Sequence, residues 1–226
     1  ATGAAPLAAD ISGSFNKGFE FTGKIETANG GVWSTATALI TPRTSIALVG
    51  HKGSAIAAGG VSSALSETWN GSSWTETNDL PTAGERRAGF GVDKDAAVVA
   101  GGYPNGNQSY EWSGTNWSEV ADLPSSQDFL LGAGSSTEAG IVFNGYPGDA
   151  LEWNGSNWSE ITQEPTTAIR GAASGESSEA AISTGGDMTP TCMATQTEIW
   201  NGSSWSEGGS LSIGSCLLYT SDAADE

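Results

Sequence analysis

Three short runs, Ala55-Ile56-Ala57-Ala58, Ala96-Ala97-Val98-Val99-Ala100 and Gly140-Ile141-Val142-Phe143, are apolar without polar alternation. Such runs, bounded by turn residues, are expected of strands covered on both faces. A small pair closes each of them, at Gly59-Gly60, Gly101-Gly102 and Asn144-Gly145, and the same mark returns at Gly185-Gly186. Around the central run the pattern predicts four strands per unit: Ala88 to Asp93, Ala96 to Ala100, Ser109 to Trp112 and Trp117 to Ala121. Helices are not expected, because Gly and Pro interrupt the chain too often for segments of three turns.

A second pattern keeps step with the first. Trp69-Asn70-Gly71-Ser72-Ser73-Trp74 recurs in close copies at Trp112 to Trp117, Trp153 to Trp158 and Trp200 to Trp205, and a degenerate copy ends at Trp33. All 9 tryptophans fall within these copies. The final Trp of each lies 41, 43, 41 and 47 residues from the one before, a period typical of solenoids and propellers. Pro81, Pro124 and Pro165 follow at the same offset, with Pro42 slightly displaced and Ser212 in that place in the last copy.

The motif fits a hairpin between the third and fourth strands of a unit. Asn-Gly accepts the positive φ that tight turns require, and the turn is expected to be either the two-residue Asn-Gly or the four-residue Asn-Gly-Ser-Ser. In both cases strand parity puts the two indoles on one face. At roughly 150 to 250 Å² per ring, that face is expected to join one unit to the next rather than to line a ligand ladder.

A four-stranded unit of this length, with Gly-Gly after the second strand, an aromatic in the third and Trp in the fourth, resembles the Kelch blades of β-propellers. The Trp-Asn-Gly-Ser-Ser-Trp form is closer to repeats of phage and environmental bacterial proteins. The resemblance implies an all-β propeller of four-stranded antiparallel blades radiating from a channel, with the first strand innermost. Four complete blades are expected at about 43–83, 84–125, 126–166 and 167–212. Residues 19–42 are expected to supply part of a fifth, and residues 1–18 an irregular leader.

The acid excess, 26 Asp and Glu against 8 Lys and Arg for a net charge of −18, argues against nucleic-acid and anionic-membrane partners. No apolar run reaches the length of a membrane helix. The chain opens at Ala1 without Met, so an earlier start is expected. Residues 216–226 resemble a translated sequencing adapter, so the natural chain is expected to run on past about Ser215 and the sequence to be a fragment. Setting that tail aside leaves Cys192 as a lone cysteine, which implies neither disulfide nor metal site.

Candidate chemistry concentrates where the repeats disagree. The loops after the second strands share one end of the blades with those after the fourth, opposite the Trp hairpins. Two of them begin Gly-Tyr-Pro, and Tyr103 and Tyr146 read either as ordinary turns whose Tyr packs on the next blade or as rigid platforms for sugar rings, with Asn105, Asn107, Asp149 and Asp187 able to supply hydrogen bonds. Arg86 and Arg170, with Arg43 and Arg87, enter first strands from the same end and could hold a carboxylate. Sialidase propellers hold a carboxylate with such a cluster, but their Asp-box has Asp where this chain has Trp69, Trp112, Trp153 and Trp200. One histidine, His51, cannot form a copper site or a Ser-His-Asp set, and no catalytic residue, metal or cofactor is expected. Glu76, Glu119, Glu160 and Glu207 read as a solvated edge.

The expected function is therefore a non-catalytic binding or structural propeller, virion-associated or extracellular, with a glycan or protein surface as ligand. The alternative expectation is a fragment of a carbohydrate-active propeller enzyme whose catalytic groups lie elsewhere. Oligomeric state is left open.

Overall fold

The computed structural model describes residues 35–165, 171–186 and 194–213. The chain divides into Ala1–Ala36 and Thr37–Glu226, and every strand among the described residues lies in the second unit. The expected leader, the partial fifth blade up to residue 34, Trp33, Arg170, Asp187, Cys192 and the 216–226 tail fall outside the described residues.

Among the described residues, sixteen strands form four antiparallel sheets in simple meander order. Blade one contains β1 (Ala47–His51), β2 (Ser54–Ala58), β3 (Ser66–Trp69) and β4 (Trp74–Thr77). Blade two contains β5 (Ala88–Asp93), β6 (Ala96–Ala100), β7 (Ser109–Trp112) and β8 (Trp117–Glu119). Blade three contains β9 (Leu131–Ala133), β10 (Gly140–Phe143), β11 (Leu151–Trp153) and β12 (Trp158–Glu160). Blade four contains β13 (Ala172–Ser177), β14 (Ala180–Thr184), β15 (Thr197–Trp200) and β16 (Trp205–Glu207). The first three strands of blade two coincide with those read from the sequence. The fourth ends at Glu119, two residues early, although the Val120 amide still bonds the Ser109 carbonyl.

The inner strands β1, β5, β9 and β13 lie side by side in that order, while β13 and β1 make no comparable contact. Each blade presents one face forward and one back. The forward side chains Ala47, Val49, Ile56 and Ala58 of blade one pack on the backward side chains Ala97, Val99, Tyr110, Trp112 and Trp117 of blade two. Blades two and three repeat the match through Phe90 and Val98 against Val142, Leu151, Trp153 and Trp158. Blades three and four repeat it through Ile141 and Phe143 against Ala181, Trp200 and Trp205.

The Trp motif adopts the four-residue turn: Trp69 pairs with Trp74 in register, and the Asn70 amide bonds the Ser73 carbonyl. Asn70 Oδ1 accepts the amides of Ser72 and Ser73, both at 3.0 Å, over Gly71 at φ 92°. Asn154 and Asn201 do the same. The indole pairs tilt at 44 to 47° with centroids 5.1 to 5.4 Å apart, within the range favoured by aromatic quadrupoles.

The two tryptophans of each motif have separate tasks. The first donates its Nε1–H to the turn between its own blade's first two strands, on the carbonyls of Lys52, Lys94, Thr137 and Ser178. The second reaches back to the preceding blade. Trp117 donates to Ser66 Oγ, Trp158 to the Ala121 carbonyl and Trp205 to the Thr162 carbonyl. From blade two onward these rings are buried, whereas Trp69 and Trp74, which meet no earlier sheet among the described residues, are half-buried. The motif therefore acts as the joint between blades.

Candidate functional site

The loops after the second strands and those leading into the first strands meet at one end of the blades, as the alternation predicts. Backbone pairs tie them: Glu85 with Tyr103, and Asp128 with Tyr146, each in both directions. Tyr103 and Tyr146 stand at equivalent positions in blades two and three, 60% and 72% exposed, and each precedes its proline through a cis peptide. Both rings therefore present faces to solvent from loops held at the backbone.

Arg86 lies between the two tyrosine loops. Its guanidinium stands 5.8 Å from the Tyr103 ring centroid and 4.4 Å from that of Phe129. It is paired with Glu85 at 2.9 Å and with Asp128 at 3.0 Å. Arg86 at φ 59° and Phe129 at φ 59° occupy the same repeat position, with Ser45 at φ 58° in blade one. With this left-handed backbone, uncommon outside glycine, Arg86 reaches Phe129 and Asp128 of the next blade. The result is a continuous row of Tyr103, Arg86, Asp128 and the Tyr146 loop. Beside it a cleft of about 360 Å³ opens between blades one and two, lined by Val61, Ser62, Ala83, Gly84, Glu85, Tyr103 and Pro104.

The other candidates are placed differently. The Asn107 side-chain amide donates to Asp122 at 3.0 Å, and the Asn107 backbone carbonyl accepts the Leu123 amide. The Asn105 carbonyl closes its loop on the Gln108 amide. Asp149 accepts from Ser125 at 2.6 Å, from Gln127 and from Gln163. The side chains of Asn107 and Asp149 thus hold neighbouring loops in shape, whereas Asn105 is engaged through its backbone.

Nor do the described arginines converge. Arg43 is buried against Glu67 at 2.6 Å, and Glu67 also receives the amides of Ile40 and Thr41, fixing the entry into blade one. Arg87 is buried under Gly84 and over the Tyr110 ring, donating to Thr82 Oγ1 at 3.2 Å. Burial draws its pKa below the ordinary value, with Tyr110 acting against that. Only Arg86 of the described arginines reaches the tyrosine row. His51 sits exposed at the opposite end, as the last residue of β1, where its Nδ1 accepts the Gly53 amide. Glu76, Glu119, Glu160 and Glu207 are exposed on the outermost strands.

Sequence reasoning missed Asp128, Phe129 and Glu85, although counting back from each first strand would have aligned Ser45, Arg86, Phe129 and Arg170. It also missed a buried acid. Leu39, Leu80, Leu123 and Glu164 share one repeat position at the tryptophan spacing. Leu80 and Leu123 are core residues, and Glu164 is buried in their place. Neither of its oxygens meets a hydrogen-bond partner among the described residues. Burial pushes its pKa up to about 8; the nearby Ser183 hydroxyl opposes this and the buried Glu198 adds to it.

Together these features define a β-propeller with four blades, its joints carried by tryptophan hairpins and its irregular loops gathered at one end. No family model matches the sequence, and no curated protein matches it. A solved structure described as "Structure of YjhT" is similar over 80% of this chain and 70% of that one, with a TM-score of 0.64 and 11% identity. At that identity the likeness shows the propeller fold alone.

Proposed function

We propose that this chain is a Kelch-like, non-catalytic binding propeller of a virion or exported surface, and that it recognises glycans across the tyrosine row. The observation carrying this reading is the repetition of Tyr103-Pro104 and Tyr146-Pro147 on adjacent blades, both exposed, with Arg86 and Asp128 between them. Sugar rings offer apolar C–H faces to aromatic platforms and hydroxyls to flanking charged groups, a combination that suits a shallow, solvent-filled site. The strong negative charge supports a neutral glycan over an acidic one, since an acidic ligand would approach against the field of the whole protein.

A glycan array with the wild type, Tyr103→Ala, Tyr146→Ala and the double variant tests the assignment. Each single variant should weaken binding by about tenfold or more, as loss of an aromatic anchor typically does. Undiminished binding by the double variant would sink the reading.

A further inference from the structure

The cleft beside Tyr103 exists because one gap between blades carries small residues where the next carries large ones. Backbone pairs set the alignment. The Gly60 amide bonds the Gly84 carbonyl as the Gly102 amide bonds the Gln127 carbonyl, so Ala83, Gly84 and Glu85 match Ser126, Gln127 and Asp128. Val61 likewise matches Tyr103, and Ser45 at φ 58° matches Arg86 at φ 59°. Between blades two and three the Gln127 side chain is fully buried, and Arg86 donates to Asp128 at 3.0 Å. Between blades one and two Gly84 has no side chain, and Ser45 lacks the length to reach Glu85 as Arg86 reaches Asp128. What remains is the cleft of about 360 Å³, to which the two blades contribute Val61, 53% exposed, and Tyr103, 60% exposed. Glu85, 8% exposed, lines it as well. Its Oε1 holds Arg86 at 2.9 Å, and its Oε2 has no hydrogen-bond partner among the described residues.

We infer that this cleft selects glycans carrying an acetamido group, whose N–H donates to Glu85 Oε2 while its methyl lies against Val61, Ala83 and Pro104; the inference rests on the glycan reading above. The neighbouring gap supplies the template. There the acid at the same repeat position, Asp128, receives a planar N–H donor, the Arg86 guanidinium, beside an aromatic ring. A cation is the wrong donor for the cleft itself, because Glu85 is already paired with Arg86 and the Arg87 guanidinium lies against Gly84. An anion would meet the Glu85 carboxylate and the field of a chain with net charge −18. A plain hexose would set hydroxyls against the apolar wall, where they lose water without gaining partners. An acetamido group is neutral, gives the carboxylate the donor it needs, and buries a methyl. Ser62, also in the lining, can donate its hydroxyl to the acetamido carbonyl. The volume lies at the small end of ligand sites and suits one sugar residue.

A glycan array bearing gluco- and galacto-configured termini, each as the plain hexose, the N-acetylated hexosamine and the free amine, tests this with the full chain. In at least one configuration the N-acetylated form should bind about tenfold or more tighter than the other two. Ser45→Arg, at a backbone angle that Arg86 already adopts, puts a guanidinium against Glu85 and should abolish that preference. Val61→Asp, at an exposed position, removes the apolar contact and should abolish it too; it serves should Ser45→Arg fail to give a folded circular-dichroism spectrum. Equal binding of the plain and N-acetylated forms overturns the inference and leaves the glycan reading standing. Tightest binding of the free amine overturns it in favour of cation recognition, and a preference that survives both substitutions places the selection outside the cleft. An array on which no glycan binds overturns the glycan reading and this inference together.

Discussion

Trp117 of blade two donates its indole N–H to Ser66 Oγ of blade one at 3.0 Å, in a buried contact between residues 51 positions apart. Ser66 is fully enclosed and Trp117 is 8% exposed. Removing the acceptor with Ser66→Ala leaves that N–H unpaired and should cost about 1 to 3 kcal/mol in denaturant unfolding. Trp117→Ala, which also empties the joint, should cost roughly 3 to 5 kcal/mol. Trp74→Ala provides the internal comparison: the same motif position, only half-buried here, should cost less than half as much.

The inner strands approach most closely where glycine permits it. A Cβ at Gly132 of β9 would lie 2.6 Å from the Gly89 carbonyl oxygen of β5. Backbone is the obstacle, so no side chain can swing aside, and Gly132→Ala should destabilise the protein by about 1 to 3 kcal/mol. Gly209→Ala, whose Cβ meets nothing within 4 Å, should leave stability of the monomer within about 0.5 kcal/mol.

Glu164 predicts a pH dependence with a definite sign. Its native pKa of about 8 stands above the ordinary value of 4.5. Between those two values the native protein retains a proton that the unfolded chain has released. Stability from this site is therefore fully present below the lower value, declines as pH rises through the window, and is flat above it. The difference is on the order of a few kcal/mol. Glu164→Leu, restoring the residue of the equivalent Leu80 and Leu123 positions, should raise Tm at pH 8.5 and much less at pH 5. Calorimetry at both pH values reads the difference; equal shifts would show that Glu164 is not protonated in the native state at neutral pH.

Arg86 offers a test that separates shape from charge at the tyrosine row. Arg86→Gly keeps the left-handed backbone at φ 59° without strain, while removing the guanidinium from Asp128 and from Phe129. If the row binds glycans, affinity on the array should fall about tenfold with Tm changed by no more than a few degrees. An unchanged affinity would place the binding determinant in the tyrosines alone.

Much of this architecture could be read from spacing. The unalternated runs, the small pairs after them and the tryptophan register located the strands of blade two to within two residues at one end, because a repeat states each position several times over. The hairpins were legible for the same reason, and so was the shared end of the tyrosine loops. What escaped was any feature that breaks the repeat. Glu164 at a leucine position and Ile199 at a polar one are visible only once the copies are aligned residue by residue. The Arg86 contact with Phe129 rests on a left-handed backbone, which neither side chain announces. Asn107 and Asp149 looked like free ligands because the sequence does not show that Asp122, Ser125, Gln127 and Gln163 reach them from the neighbouring loop.

The division of labour between the two tryptophans bears on how such a chain can change over generations. Because the first indole is satisfied within its own repeat and the second within the repeat before it, a duplication or deletion of one whole unit recreates a matched seam on both sides. A duplication that begins or ends partway through a unit strands an indole without its acceptor. Recombination is thus steered toward whole units, and blade number becomes the property of this protein that is easiest to vary.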